Sequence, residues 1–216
     1  MTLTEPPAAG YADITTPEEL VELLGEPTAR ARDKVRRALT DLDRDWLAAS
    51  PFCVLATAGA DGSADASPKG DPAGDLVHVV DERTIAIAER PGNRRADGYR
   101  NILENPHVGL LFLIPGRSDT LRINGRARLV SEAPFFDALV VKGHRPLLAI
   151  VVEIDEVFHH CQKAFLRASL WQPETWDPDG RVPRRSVIAH ELEPSGMTIE
   201  ELDAYYGPAY LKGLYG

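Results

Sequence analysis

At 216 residues the chain has the length of one globular domain with extensions, and its 44% hydrophobic and 26% charged residues exclude a disordered or collagen-like polymer. Lys and Arg number 24 against 33 Asp and Glu, a formal net charge of −9, which is the wrong sign for broad phosphate-backbone binding. Only Cys53 and Cys161 are present, so no disulfide framework exists, and a reducing, cytoplasmic setting is expected. The opening residues lack the basic-then-apolar pattern of a secretory signal, and no apolar run approaches the ~20 residues that span a bilayer. No nucleic-acid or membrane partner is expected.

Residues 1–14 read as a flexible lead-in, followed by a helical segment over 15–49. Thr16-Pro17-Glu18-Glu19 has the form of a capping box with proline at the first helical position. Leu20, Leu23 and Leu24 then share a face, and Gly25 ends the run. A second, longer helix is expected from Thr28. Val35, Leu39, Leu42 and Trp46 form its buried stripe, with Arg30, Arg32, Arg36 and Arg37 solvated.

From Ser50 the pattern becomes that of strands. Residues 52–57 are apolar and run into Asp61-Gly62, a strong hairpin signal; 64–69 alternate small and polar side chains. Residues 77–80 and 84–88 flank a tight turn at 81–83. Residues 108–114 suit a buried strand, Pro115-Gly116 break it, and 120–130 alternate Leu121, Ile123, Ala127 and Leu129 against Arg122, Asn124, Arg126 and Arg128. A last strand covers 147–157. Tight turns imply an antiparallel sheet, and a count of six strands suggests closure into a barrel. Helices are expected near 97–104, 134–142, 163–170 and 199–206. The fold class is mainly β (α+β).

Dinucleotide, P-loop, zincin and serine-elbow signatures are missing. Three other clusters carry chemistry. Asp65-Ala66-Ser67-Pro68-Lys69-Gly70-Asp71 places small residues and a proline on a strand, which suits either a sheet edge or a backbone lying against a planar ligand beside Lys69. Arg90-Pro91-Gly92-Asn93-Arg94-Arg95-Ala96-Asp97 brings arginines to a helix start, where they oppose the helix dipole unless an anion is bound or water solvates them. In His159-His160-Cys161-Gln162-Lys163 and onward, Lys163 and Arg167 fall one helical turn apart, with Trp171 four residues further. Neighbouring histidines on a strand face opposite ways, and no second Cys/His pair lies at zinc-site spacing, so no metal site is expected.

Taken together with Ser50-Pro51-Phe52, Asn101-Ile102-Leu103-Glu104-Asn105-Pro106, and Thr120-Leu121-Arg122-Ile123-Asn124-Gly125-Arg126-Ala127, these stretches resemble the pyridoxamine 5'-phosphate oxidase-like, FMN-binding split-barrel proteins. They are most similar to that group's branch of FMN-dependent enzymes, in the same order from about residue 12 to 171. The resemblance implies a six-stranded antiparallel split β-barrel over 50–171 with N-terminal and peripheral helices. It also implies a homodimer with two FMN molecules at the subunit interface, and a tail, 172–216, packed on the barrel or on the partner. By the same resemblance Ser67 and Lys69 line the flavin, Ile87, Ala88 and Glu89 pass beside its ring, and Asn93, Arg94 and Arg95 grip its phosphate. Thr120, Lys163, Arg167 and Trp171 complete the site, some of them from the partner subunit. The chain departs from the branch pattern at Asp75, where an aromatic is usual, at Ala88, where a proline is usual, and at Gly98, where a serine is usual.

An FMN-dependent oxidoreductase acting on a small molecule is the expected function. FMN needs a phosphate clamp, a flat slot and donors near its reducible edge, which the three clusters supply. The arginine/histidine pair that the vitamin enzymes carry near the C-terminus is not found, so a redox role other than pyridoxine phosphate oxidation is expected. A flavin- or haem-binding storage or sensor module, with His159 or His160 as the haem ligand, and an F420-dependent reductase are the alternatives. No catalytic acid or base is nominated.

Overall fold

The computed structural model describes residues 10–177 and 179–215. Most of the expected lead-in, residues 1–9, lies outside the described residues; 10–14 are exposed and without regular structure. Helix α1, Pro17–Leu24, starts at the Thr16/Glu19 capping box and buries none of its residues. The expected long second helix is two short ones, α2 (Ala29–Asp33) and α3 (Asp41–Ala49). The break has two causes. Arg36 pairs its backbone with Val157 in an antiparallel bridge, and Thr40 opens a second capping box with Asp43. Leu39, Trp46 and Leu47 are buried, while Leu42 is 75% exposed, so the buried stripe runs differently from the continuous-helix pattern.

Seven strands follow, one at each stretch read as a strand and one more than the count of six expected for the barrel: β1 Phe52–Ala58, β2 Ala64–Gly70, β3 His78–Asp81, β4 Thr84–Ala88, β5 His107–Leu113, β6 Thr120–Val130 and β7 Ala149–His160. All pairings are antiparallel, in the order β2-β1-β5-β6-β7-β4-β3. The sheet is not closed, because β2 and β3 are its edges and do not pair with one another. It nevertheless wraps round one core. β1 and β4 stand four strands apart in the sheet, yet Leu55 and Ile87 belong to the same buried cluster as Phe112, Ile123 and Val152. An edge strand containing Pro68 cannot offer a complete ladder of donors, which is one reason the seam stays open.

Helix α4, Asp97–Glu104, packs on β1 and β6 and buries Ile102. Gly98 lets it approach closely: a Cβ there would lie 3.1 Å from Asp65 Oδ2 and 3.5 Å from both Ser67 Oγ and Thr57 Oγ1. The helix expected over 134–142 is a single 3-10 turn, Phe136–Leu139, whose Phe136 and Leu139 pack with Ala88 and Ala149. Helix α5 is only Lys163–Arg167, because Ser169 turns into the left-handed region (φ 47°). Three helices end the chain: α7 Ile199–Tyr205, which lies where a helix is expected, and α6 Arg185–Leu192 and α8 Pro208–Lys212, which have no sequence reading. Arg184 and Ser186 both bond to Asp203, which ties α6 to α7.

Candidate functional site

A cavity of about 780 Å³, within the range of small-molecule sites, opens between β2 and the end of β4. Strand β2 builds one wall. Its alternation turns Asp65, Ser67 and Lys69 to the half-buried side and leaves Ala64, Ala66 and Pro68 exposed, the reverse of an ordinary core strand. Ser67 donates to Asp65 Oδ2 at 2.6 Å. Lys69 Nζ donates to Tyr99 Oη at 3.1 Å and stands 4.7 Å from the centroid of that ring.

Ala88 and Glu89 supply the opposite wall. Burial pushes the Lys69 ammonium below the ordinary lysine range and the Glu89 carboxyl above the ordinary glutamate range, with the charge of each opposing the shift of the other. Burial also raises the Tyr99 phenol, and the Glu89 charge adds to that. The cavity therefore disfavours charge on its own side chains, and an incoming anion near Lys69 would favour its ammonium form.

The loop before α4 closes one end. Arg94 and Ala96 adopt left-handed backbone (φ 59° for both), which turns this end of the helix into the cavity beside Arg94, Arg95 and Gly98. Asn93 Oδ1 accepts from the Arg95 backbone N–H at 3.0 Å, and the Arg95 guanidinium pairs with Asp97. Arg94 forms no ion pair or side-chain hydrogen bond among the described residues. At the other end, Asp71 is buried and accepts from Arg90 Nε at 2.8 Å and from Tyr215 Oη at 3.0 Å. Arg90 Nη2 is buried with no partner.

Of the residues expected at a flavin, Ser67, Lys69, Ala88, Glu89, Asn93, Arg94 and Arg95 line this one cavity. Ile87 does not; it is buried in the main core. Thr120, Lys163, Arg167 and Trp171 are also elsewhere. Thr120 is buried opposite His160, Lys163 and Arg167 are exposed on α5, and Trp171 donates to the Arg117 carbonyl at 2.6 Å. The register explains the separation. Ala88 pairs with Ala149, the first residue of β7, and Thr120 pairs with His160, the last, roughly 35 Å further along that strand. His159, considered as a haem ligand, has its Nε2 3.2 Å from Asp43 Oδ1 and its ring edge-on to Trp46. Among the described residues no cluster of three His, Cys, Asp or Glu side chains is placed to hold a metal ion, and no helix is long and apolar enough to cross a membrane.

Asp71, Arg90, Tyr99 and Tyr215 were not singled out as site residues from sequence. Asp71 and Arg90 sit inside quoted motifs, and Tyr99 lies two residues after one. Tyr215 has no local signal.

The model of the family described as pyridoxamine 5'-phosphate oxidase matches residues 39–161, which include every strand. The chain belongs to that family. Among curated proteins no relative matches the sequence. HupZ from Group A Streptococcus is similar in structure at 18% identity, covering 56% of this chain and 93% of its own, with a TM-score of 0.46. A Clostridium acetobutylicum protein of the pyridoxinephosphate oxidase family, related to general stress protein 26 of Bacillus subtilis, is similar at 12% identity. That match covers 56% of this chain and 86% of the other, with a TM-score of 0.42. General stress protein 26 from Bacillus anthracis is similar at 15% identity over 54% of this chain and 88% of its own, with a TM-score of 0.38.

Proposed function

We propose that this member of the pyridoxamine 5'-phosphate oxidase family is an FMN-dependent oxidoreductase that works as a homodimer on a small organic substrate. The observation that carries this reading is the make-up of one cavity: a strand of small and polar residues with the half-buried Lys69 on one side, and the exposed Arg94 and Arg95 at its helix-bearing end. Those groups fit the two demands of FMN. Arg94, Arg95 and the Asn93 turn suit a dianionic phosphate, and a buried cation suits the ring edge that gains negative charge on reduction.

FMN, when bound, supplies the redox chemistry. Ser67 and the β2 backbone orient its ring, Ala88 leaves room beside it, and Lys69 holds a positive charge where a buried site otherwise disfavours one. Thr120, Lys163, Arg167 and Trp171, at the far end of β7, complete the site from the partner copy. In this arrangement each dimer has two such sites.

The test is a titration of the purified protein with FMN, read by flavin fluorescence and the visible spectrum, alongside sedimentation velocity. Micromolar or tighter binding to a dimer is expected, with Lys69→Met weakening it at least about tenfold, the loss of one charge-assisted contact. No flavin binding by the folded protein, with F420 binding in its place, would overturn the assignment.

A further inference from the structure

The tail enters the cavity it would be expected merely to drape over. Leu214 and Tyr215 line it, and the Tyr215 ring sits in a niche of defined chemistry. Its hydroxyl donates to Asp71 Oδ1 at 3.0 Å. Lys142 Nζ stands 4.9 Å from its ring centroid and Arg90 Cζ 5.9 Å, while the His144 ring stacks on it at 6.1 Å and 29°. A cation near an aromatic face attracts the ring's negative quadrupole, so the niche favours an electron-rich ring.

The niche is built independently of its occupant. Asp71, with its side chain only 2% exposed, is held by Arg90 through Oδ2, which leaves Oδ1 oriented as an acceptor for a ring hydroxyl. Lys142 and His144 come from a tight turn in which Val141 and His144 exchange backbone hydrogen bonds and Lys142 and Gly143 both take positive φ. A lysine in that conformation is strained, and it is held where it faces the ring.

The occupant is lightly held. Helix α8 buries none of its residues, and among the described residues the Tyr215–Asp71 contact is the one hydrogen bond from 208–215 to the barrel. With Tyr215 in place, Arg90 Nη2 remains buried without a partner, so the occupied niche is incompletely satisfied.

We infer that this niche is a binding subsite for a small, neutral, hydroxyl-bearing aromatic ring, with Tyr215 as a built-in competitor that such a ring displaces. Asp71 selects for a hydroxyl donor and against an anion at that position. Lys142 and Arg90 select for an electron-rich face. As a substrate class this rests on the flavoprotein reading; as a binding site it does not.

The full chain and its Tyr215→Phe and Tyr215→Ala variants, checked for folding by circular dichroism, are titrated calorimetrically with p-cresol and with toluene. Removing the competitor is expected to tighten p-cresol binding at least about tenfold in Tyr215→Ala, with Tyr215→Phe intermediate because its ring stays but its bond to Asp71 is lost. In Tyr215→Ala, toluene should bind at least about tenfold more weakly than p-cresol, and p-cresol should speed tryptic cleavage after Lys212 in the unsubstituted chain. Equal p-cresol affinity in all three proteins, or equal affinity for toluene and p-cresol, overturns the subsite. Repeating the titrations with FMN separates the two ideas: the p-cresol pattern without flavin binding sinks the flavoprotein reading alone, and flavin binding without the pattern sinks the subsite alone.

Discussion

Asp71 and Arg90 offer the sharpest test of how the cavity wall is held. The Asp71 side chain is 2% exposed and the Arg90 side chain 13%, and they meet at 2.8 Å. Replacing Asp71 with Leu leaves Arg90 Nε without its acceptor, next to an Nη2 that already lacks one. Breaking a buried pair from one side costs about 3–5 kcal/mol, and the cavity beside Arg90 places this case near 3. Arg90→Met strands a nearly inaccessible carboxylate and should cost about as much. Replacing both removes the desolvation problem altogether, so the double variant should lose only about 2–3 kcal/mol against about 6 for simple addition, a coupling of about 3. Urea unfolding followed by tryptophan fluorescence measures all four proteins, and each single variant should melt about 6–12 °C lower for a chain of this size. Additive losses, or single variants within 1 kcal/mol of the unsubstituted protein, would refute the claim that this pair is a coupled, desolvated unit.

Two further predictions concern the frame around the site. Asp43 is fully buried; burial raises its carboxyl, but the Arg36 fork, the Thr40 backbone and hydroxyl donors and the Arg36 charge outweigh that and hold it well below the usual range. Its folded pKa is lowered, so its contribution is complete above the unfolded value of 3.8 and drains away below it by up to about 1.4 kcal/mol per pH unit. The stability gap between the unsubstituted protein and Asp43→Asn should therefore shrink on acidification from pH 5 to pH 3, and a gap constant over that interval would contradict the assignment. Gly125 sits where the β6–β7 register shifts, and a Cβ there would fall 2.1 Å from the Glu153 carbonyl oxygen, so Gly125→Ala must displace a central strand. A loss of about 4 kcal/mol is expected in chemical denaturation, and a loss under 1 would mean the bulge relaxes freely.

The β elements were legible because their signals are local. Asp61-Gly62 sets the first hairpin, Pro115-Gly116 ends β5, and the β6 alternation predicts Leu121, Ile123 and Ala127 on its buried face, with Leu129 half-buried. The cavity-facing side of β2 was legible too, since Asp65, Ser67 and Lys69 alternate with small residues. The long second helix failed because Val35, Leu39, Leu42 and Trp46 keep helical spacing across a break made by a distant partner, Val157. Each of the seven strands was legible, but the closed six-stranded barrel was not: whether the sheet's edges meet is a property of curvature, which spacing does not encode. Tyr215 was illegible because its contact with Asp71 spans 144 positions, and nothing around it in the chain distinguishes it from Tyr205, Tyr206 or Tyr210.

The unequal anchoring of the two flanks has a practical consequence for anyone who labels or immobilises this protein. A label or insertion placed beside Tyr215 sits next to the ring seated against Asp71, and would crowd the cavity mouth or drag its plug aside. Helix α1, by contrast, buries none of its side chains and supplies no residue to the cavity lining. Surface capture, dye conjugation and reporter fusions are therefore better attached to α1 than near Tyr215.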